Sequence, residues 1–146
     1  MKVIFLDIDG VLINEVCFLN RDSTKKEPQK PDPNCVAALN EIVKSSGANI
    51  VVSSSWRLNR TLEQLRTVLR GWGVDAEIIG KTPYIAFGTR GQEISEWLKI
   101  HSEVEKFIII DDDDEMGVLS NKLLLTDFIS GLHTGQIKKA LKLFDI

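Results

Sequence analysis

The chain has 146 residues, 43% hydrophobic and 27% charged, with a formal net charge of −3, which is the size of one compact domain and enough apolar material for a core. That charge argues against a dedicated nucleic-acid binder while leaving room for a local basic groove, and no apolar run approaches the roughly 20 residues of a membrane span. Asp7 interrupts the apolar N-terminal run, so it does not read as a signal peptide, and Cys17 and Cys35 form neither a CxxC pair nor a cluster with His; the expectation is a reduced, cytoplasmic protein.

Residues 2–6 are a β-rich apolar run and the expected first strand. The polar stretch 13–33, with Lys25, Lys26 and Lys30 and three prolines, reads as an irregular loop. Asp32 followed by Pro33 is a helix start, a capping side chain before proline at the first helical position. Val36, Leu39, Ile42 and Val43 then recur at helical spacing until Gly47. Residues 49–52 form the second strand. Thr61 opens a second helix, with Gln64 placed for a capping box; its apolar face is Leu62, Leu65, Val68 and Leu69, and Gly71 or Gly73 ends it. A third strand is expected over 76–79, then a loop and a third helix with Ile94, Trp97 and Leu98 on one face. Residues 107–110 and 123–125 are the last strands, and a final helix from about Thr134 carries Ile137, Leu141 and Phe144.

Strands that are continuous apolar runs and alternate with helices indicate an α/β fold, a parallel sheet covered on both faces. Ligands of such sheets bind beyond the carboxyl ends of the strands. There the chain places Asp7-Ile8-Asp9-Gly10, Ser53-Ser54-Ser55-Trp56-Arg57 and Asp111-Asp112-Asp113-Asp114. So many carboxylates on one edge need neutralising, and a hard divalent cation such as Mg²⁺ does so with carboxylate oxygens and water. Asp7 and Asp9 reach one centre only if the chain turns at Gly10, since strand geometry sends alternate residues to opposite faces.

Phe5-Leu6-Asp7-Ile8-Asp9-Gly10-Val11-Leu12 resembles motif I of the haloacid dehalogenase (HAD) superfamily, Val51-Val52-Ser53 its motif II, and Ile108-Ile109-Ile110-Asp111-Asp112 its motif IV. In Ser54-Ser55-Trp56-Arg57, Gly80-Lys81-Thr82-Pro83, Arg90-Gly91-Gln92-Glu93-Ile94 and Ser130-Gly131-Leu132 the chain is similar to the HAD domain of Swiss Army Knife RNA repair proteins. The paired Asp is also similar to that of the phosphatase half of polynucleotide kinase-phosphatases. The resemblance implies a Rossmann-like five-stranded sheet of order 3-2-1-4-5 without a large cap domain, one domain over 1–146, and a Mg²⁺-dependent phosphomonoester hydrolase. It implies that Asp7 is the nucleophile, forming an aspartyl-phosphate. Asp9 would be the acid and base and offer its backbone carbonyl to the metal. Ser53, with Ser54 beside it, would bind the phosphoryl group; Asp7, Asp9, Asp111 and Asp112 would make up the metal site, Asp112 ligating directly or through water and Asp111 orienting it.

The superfamily's phosphate-neutralising lysine has no counterpart at its usual place, where Arg90 stands; Lys81 is the expected cation and Arg90 the alternative. Both gaps that could hold a cap, 13–33 and 81–89, are too short for a domain. An open site suits a bulky substrate, and the resemblance favours 3′- or 5′-phosphate ends of RNA or DNA, with Lys25, Lys26 and Lys30 compatible. A small-metabolite or nucleotide phosphatase is the alternative. Trp56 can stack a base or pack against a helix, and Arg57 can hold a second phosphate. Asp113, Asp114 and the lysines 138, 139 and 142 read as solvated, and His133 as a loop residue. A receiver-like signalling domain is disfavoured because its phosphorylated Asp sits on the third strand, and a silent binding module because Asp7 and Asp9 are both present.

Overall fold

The computed structural model describes residues 1–22, 24 and 29–146; Lys25 and Lys26 lie outside them. Five parallel strands, β1 (Lys2–Leu6), β2 (Asn49–Val52), β3 (Ile78–Lys81), β4 (Lys106–Asp111) and β5 (Leu123–Leu125), form one sheet of order β3-β2-β1-β4-β5. This is the expected Rossmann-like α/β arrangement. The helices are α1 (Glu15–Leu19), α2 (Pro33–Ser46), α3 (Leu62–Gly71), α4 (Arg90–Lys99) and α5 (Ile137–Leu143). Asp32 caps α2 by accepting from the Asn34 N–H, and Thr61 and Gln64 form the expected capping box at α3. Thr89 and Gln92 form a second box at α4, placing Arg90 in the first turn of that helix.

Two expectations are corrected. The stretch 13–33 is not wholly irregular, because Asn14 caps the short helix α1 by accepting from Cys17 N. The third strand is displaced toward higher numbers, Ile78–Lys81 rather than 76–79. Its pairing with β2 shifts at a bulge between Ile50 and Val51, an irregularity that apolar periodicity does not reveal.

Alternation along the strands divides the core in two. Ile4, Leu6, Ile50, Val52, Ile108, Ile110 and Leu124 face α2, α3 and α5, packing with Leu39, Ile42, Leu65, Leu69, Ala140 and Phe144. Val3, Phe5, Val51 and Ile109 face α4 and pack with Ile94, Trp97 and Met116. Phe5 meets Trp97 and Phe107 edge to face, with centroids 5.5 and 5.7 Å apart. Among the described residues no helix is long and apolar enough to cross a membrane.

The parallel ladder runs one residue past each strand. Asp7 N donates to Ile110 O (3.0 Å), Ser53 N to Leu6 O (3.0 Å), Thr82 N to Val52 O (3.0 Å) and Thr126 N to Asp111 O (2.9 Å). Asp7, Ser53, Thr82, Asp111 and Thr126 therefore stand in a row along one sheet edge. By alternation Asp7 follows Val3 and Phe5, Ser53 follows Val51, and Asp111 follows Ile109, so all three belong to the face covered by α4.

Two helical glycines test this packing. A Cβ on Gly91 would lie 2.5 Å from the Met116 carbonyl oxygen, whereas one on Gly71 meets nothing within 4 Å. Helix propensity favours alanine at both. We expect Gly71→Ala to be stabilising by about 0.4–1 kcal/mol and Gly91→Ala to be destabilising by about 1–3 kcal/mol. Urea unfolding of both variants checks this; equal stabilisation would show that α4 does not press on the Met116 loop.

Candidate active site

Asp7 is buried at the end of β1, and the chain turns sharply after it. Ile8 O accepts the N–H groups of Val11, Leu12 and Ile13 (3.1, 2.9 and 3.1 Å), and Gly10 N donates to Ile13 O (2.8 Å). Gly10 has φ +83°, and a side chain there would run into the Asp112 carboxylate, so glycine serves both the turn and the approach of motif IV to motif I. Thr126 Oγ1 donates to Gly10 O (2.7 Å), tying this turn to the end of β5.

The carboxylates of Asp7, Asp111 and Asp112 offer oxygens within 4.8 Å of one another, Asp7 and Asp111 buried and Asp112 exposed. Arg90 reaches in from α4 to both buried members, its Nη1 3.3 Å from Asp7 Oδ1 and 3.0 Å from Asp111 Oδ2. Burial works against the Arg90 charge, but Asp111 and Asp7 outweigh it and hold its pKa above the ordinary value. One guanidinium does not neutralise three carboxylates. Burial first, and then repulsion from Asp7, push Asp111 up to about 8 against the Arg90 attraction, and Asp112 is raised for the same first two reasons. An all-oxygen, under-neutralised, partly open set of this kind fits a hard divalent cation.

Lys81, expected as the neutralising cation, is not the one that meets these carboxylates. It pairs with Val52, on the α2 and α3 side of the sheet, and its Nζ donates to the Arg57 and Arg60 carbonyls at 3.3 and 2.8 Å. Its neighbour Gly80 faces Trp97 on the α4 side. Strand alternation thus sends Lys81 away from the face on which Asp7 and Asp111 stand, and Arg90 takes that place.

Arg57 is corrected too. It is buried and pairs with buried Glu93 at 2.9 Å. Its Nε donates to Thr82 O (2.9 Å), Nη1 to Ser53 O and Ser54 O (3.3 and 3.0 Å), and Nη2 also to Pro83 O (3.2 Å). Every donor of the guanidinium fork is engaged, so none remains for a second phosphate. Burial lowers the Arg57 pKa and Glu93 partly restores it. Glu93 also accepts from Ile85 N (3.0 Å). The buried pair therefore joins the loops after β2 and β3 to α4. Sequence reading missed Glu93 as a site-building residue; its signal was a carboxylate on the same helix face as Ile94 and Trp97, where a charge needs a partner.

Ser53 is fully buried, and its Oγ, like the adjacent Thr82 Oγ1, has no partner among the described residues. Ser54 is occupied locally, its Oγ accepting from Trp56 N (3.2 Å) as the cap of a 3₁₀ turn. The Asp9 carboxylate stands apart from the acidic cluster and accepts from the Trp56 indole N–H (3.2 Å). Burial raises the Asp9 pKa, the indole bond lowers it and Asp7 raises it; the net direction is upward. Trp56 packs on the core and meets Trp72 edge to face at 5.3 Å. His133 lies in a loop, and Asp113 and Asp114 are exposed, as expected.

The family model of the HAD domain in Swiss Army Knife RNA repair proteins matches residues 3–137. The chain belongs to that family. No curated protein matches it.

Asp111 yields a pH prediction. Between its ordinary 3.8 and about 8, the folded protein holds a proton that the unfolded chain has released, so stability falls as pH rises through that window. The melting temperature of metal-free protein is expected to decline from about pH 5 to about pH 8.5, and Asp111→Asn to flatten the decline. Added Mg²⁺ should raise the melting temperature more at the upper pH, because ligands bind it deprotonated. A decline identical in wild type and Asp111→Asn would show that this carboxyl is not its source.

Proposed function

We propose that this HAD-family chain is a Mg²⁺-dependent phosphomonoester hydrolase working through an aspartyl-phosphate on Asp7, with residues 1–146 as one catalytic domain. The observation that carries the reading is Arg90 bridging Asp7 and Asp111 beside Asp112, with Asp9 held apart on Trp56. Asp7 and Asp112, with the Asp9 backbone carbonyl, would hold Mg²⁺, which supplies charge neutralisation for the transferring phosphoryl group. Asp111 holds Arg90 and receives the Asp113 N–H (3.0 Å), so it orients the site.

Asp7 Oδ attacks phosphorus in line as the leaving oxygen takes a proton from Asp9. The bond to the leaving group breaks and the phosphoryl group stays on Asp7. Asp9, now a carboxylate, removes a proton from water, which attacks phosphorus and releases inorganic phosphate and free Asp7. Arg90 offsets the charge that accumulates on the phosphoryl oxygens, and the unpartnered Ser53 hydroxyl is the donor this reading assigns to one of them. Ser54 shapes the loop.

The substrate class we infer is a 3′- or 5′-phosphate end of RNA or DNA, supported by the RNA-repair family match and by the shortness of the connections 13–33 and 81–89, neither long enough for a cap domain. Free thiols at Cys17 and Cys35 suit the cytoplasmic location we assign.

Hydrolysis of an aryl phosphate is expected to require Mg²⁺ and to vanish in Asp7→Asn. Asp9→Asn should accumulate phosphoenzyme from an activated ester. Full turnover in excess EDTA, or by Asp7→Asn, would contradict the assignment.

A second comparison weighs the two cations. Arg90→Ala is expected to lower kcat by about 10²–10³-fold, the cost of one electrostatic donor to a transferring group. Lys81→Ala should change kcat far less, since its ammonium holds main-chain carbonyls. Steady-state kinetics on the same aryl phosphate decides between them; the reverse ranking would return the role to Lys81.

A further inference from the structure

A cleft of about 990 Å³ opens beside Asp9, between the 29–33 segment and α3. Trp56 and Trp72 form its aromatic wall, and Arg21, Lys30 and Arg60 bring positive charge. None of the three cations is paired with a carboxylate among the described residues, although the whole chain carries −3. The Arg60 guanidinium lies over the Trp56 ring, 4.5 Å from its centroid, and among the described residues donates only to Trp56 O (3.1 Å). It therefore presents free donors and a flat cation at the cleft wall. Trp56 joins cleft to chemistry, because its indole N–H holds Asp9, the proposed proton donor to the leaving group.

We propose that this cleft is the leaving-group subsite and takes a nucleic-acid strand through its last nucleotide and the next phosphodiester. The proposal rests on the phosphatase reading of Asp7 and deepens it. An aromatic wall suits a nucleobase, because every base has a π-face. Unpaired arginine and lysine suit backbone phosphate, arginine as a bidentate fork. An acidic phosphopeptide would use the cations but not the indoles, and a small phosphate ester would use neither. A nucleoside monophosphate has only the phosphate that the Asp7 centre takes, whereas a strand end has a second one for Arg60, Arg21 or Lys30. The cleft thus sets a preference for strand ends over mononucleotides, with Arg60 and Trp72 as specificity residues beside Trp56.

The test is binding in the Asp7→Asn protein, followed by tryptophan fluorescence. Of the three tryptophans, Trp56 and Trp72 line the cleft and Trp97 is buried in the opposite core, so a change in emission reports on the cleft. The probes are single-stranded hexanucleotides bearing a 3′- or a 5′-phosphate, a nucleoside monophosphate, inorganic phosphate and an acidic phosphopeptide. One hexanucleotide is expected to bind at least about tenfold more tightly than the monophosphate, equivalent to ~1.4 kcal/mol, and to weaken with added salt through counterion release. Arg60→Gln, and separately the exposed Lys30→Gln, should each narrow that preference. Their kcat/KM for the oligonucleotide in the Asp7 background should fall by a larger factor than that for an aryl phosphate.

Equal binding of hexanucleotide and monophosphate overturns the proposal, as does a phosphopeptide that binds as tightly. So does an unchanged preference in both variants. Oligonucleotide binding without hydrolysis by wild type would sink the phosphatase reading and keep the subsite; aryl phosphate hydrolysis without oligonucleotide binding would do the opposite.

Discussion

The ion pair from Arg90 to Asp7 and Asp111 is the contact on which the rest of the centre depends. Two carboxylates buried side by side on adjacent strands repel each other, and burial penalises both. A cation must reach them from the face on which they stand. That face is covered by α4, and the Thr89–Gln92 capping box starts the helix where its first residue, Arg90, spans both. The position of α4 is in turn set by Trp97 and Ile94 on Phe5 and Val51, and by a glycine that lets its first turn close on Met116. Core packing thus determines where the charge sits.

Behind this contact lies a buried pair with a different task. Arg57 and Glu93 are both removed from water, and the desolvation of such a pair often cancels its attraction. Its value here is positional, because the guanidinium binds carbonyls on the loops after β2 and β3 while Glu93 sits on the helix that carries Arg90. Removing one partner would leave the other charged, buried and unpaired, which costs about 3–5 kcal/mol. The loop bearing Ser53 and the helix bearing Arg90 are consequently tied to each other through this pair.

The centre has two sides with different electrostatic character. Toward α4 are the acidic cluster and its arginine. Toward α3 are Asp9, Trp56 and a cleft lined by Arg21, Lys30 and Arg60. Gly10 lets a single turn serve both, sending Asp7 to one side and Asp9 to the other. This separation gives two nearby carboxylates unlike surroundings.

Much of this was legible in the sequence, because it depends on local patterns. Apolar runs alternating with amphipathic helices specify a parallel sheet, the Asp32-Pro33 and Thr61–Gln64 signals mark helix starts to the residue, and the acidic run at the end of β4 beside Asp-x-Asp at the end of β1 points to phosphate and metal chemistry. Facing across the sheet was not legible. Whether Lys81 or Arg90 meets the carboxylates depends on the alternation phase of β3, which a bulge opposite Ile50 and Val51 alters, and on where α4 docks. Arg57 looked available to a ligand because its partner, Glu93, is 36 residues further along the chain and only folding brings the two together. Residue types and spacing determined the sheet and the acidic residues at its edge; tertiary structure decided which cation meets those carboxylates and which is locked into the scaffold, because strand parity and buried charge pairing are properties of the packed sheet rather than of any one segment.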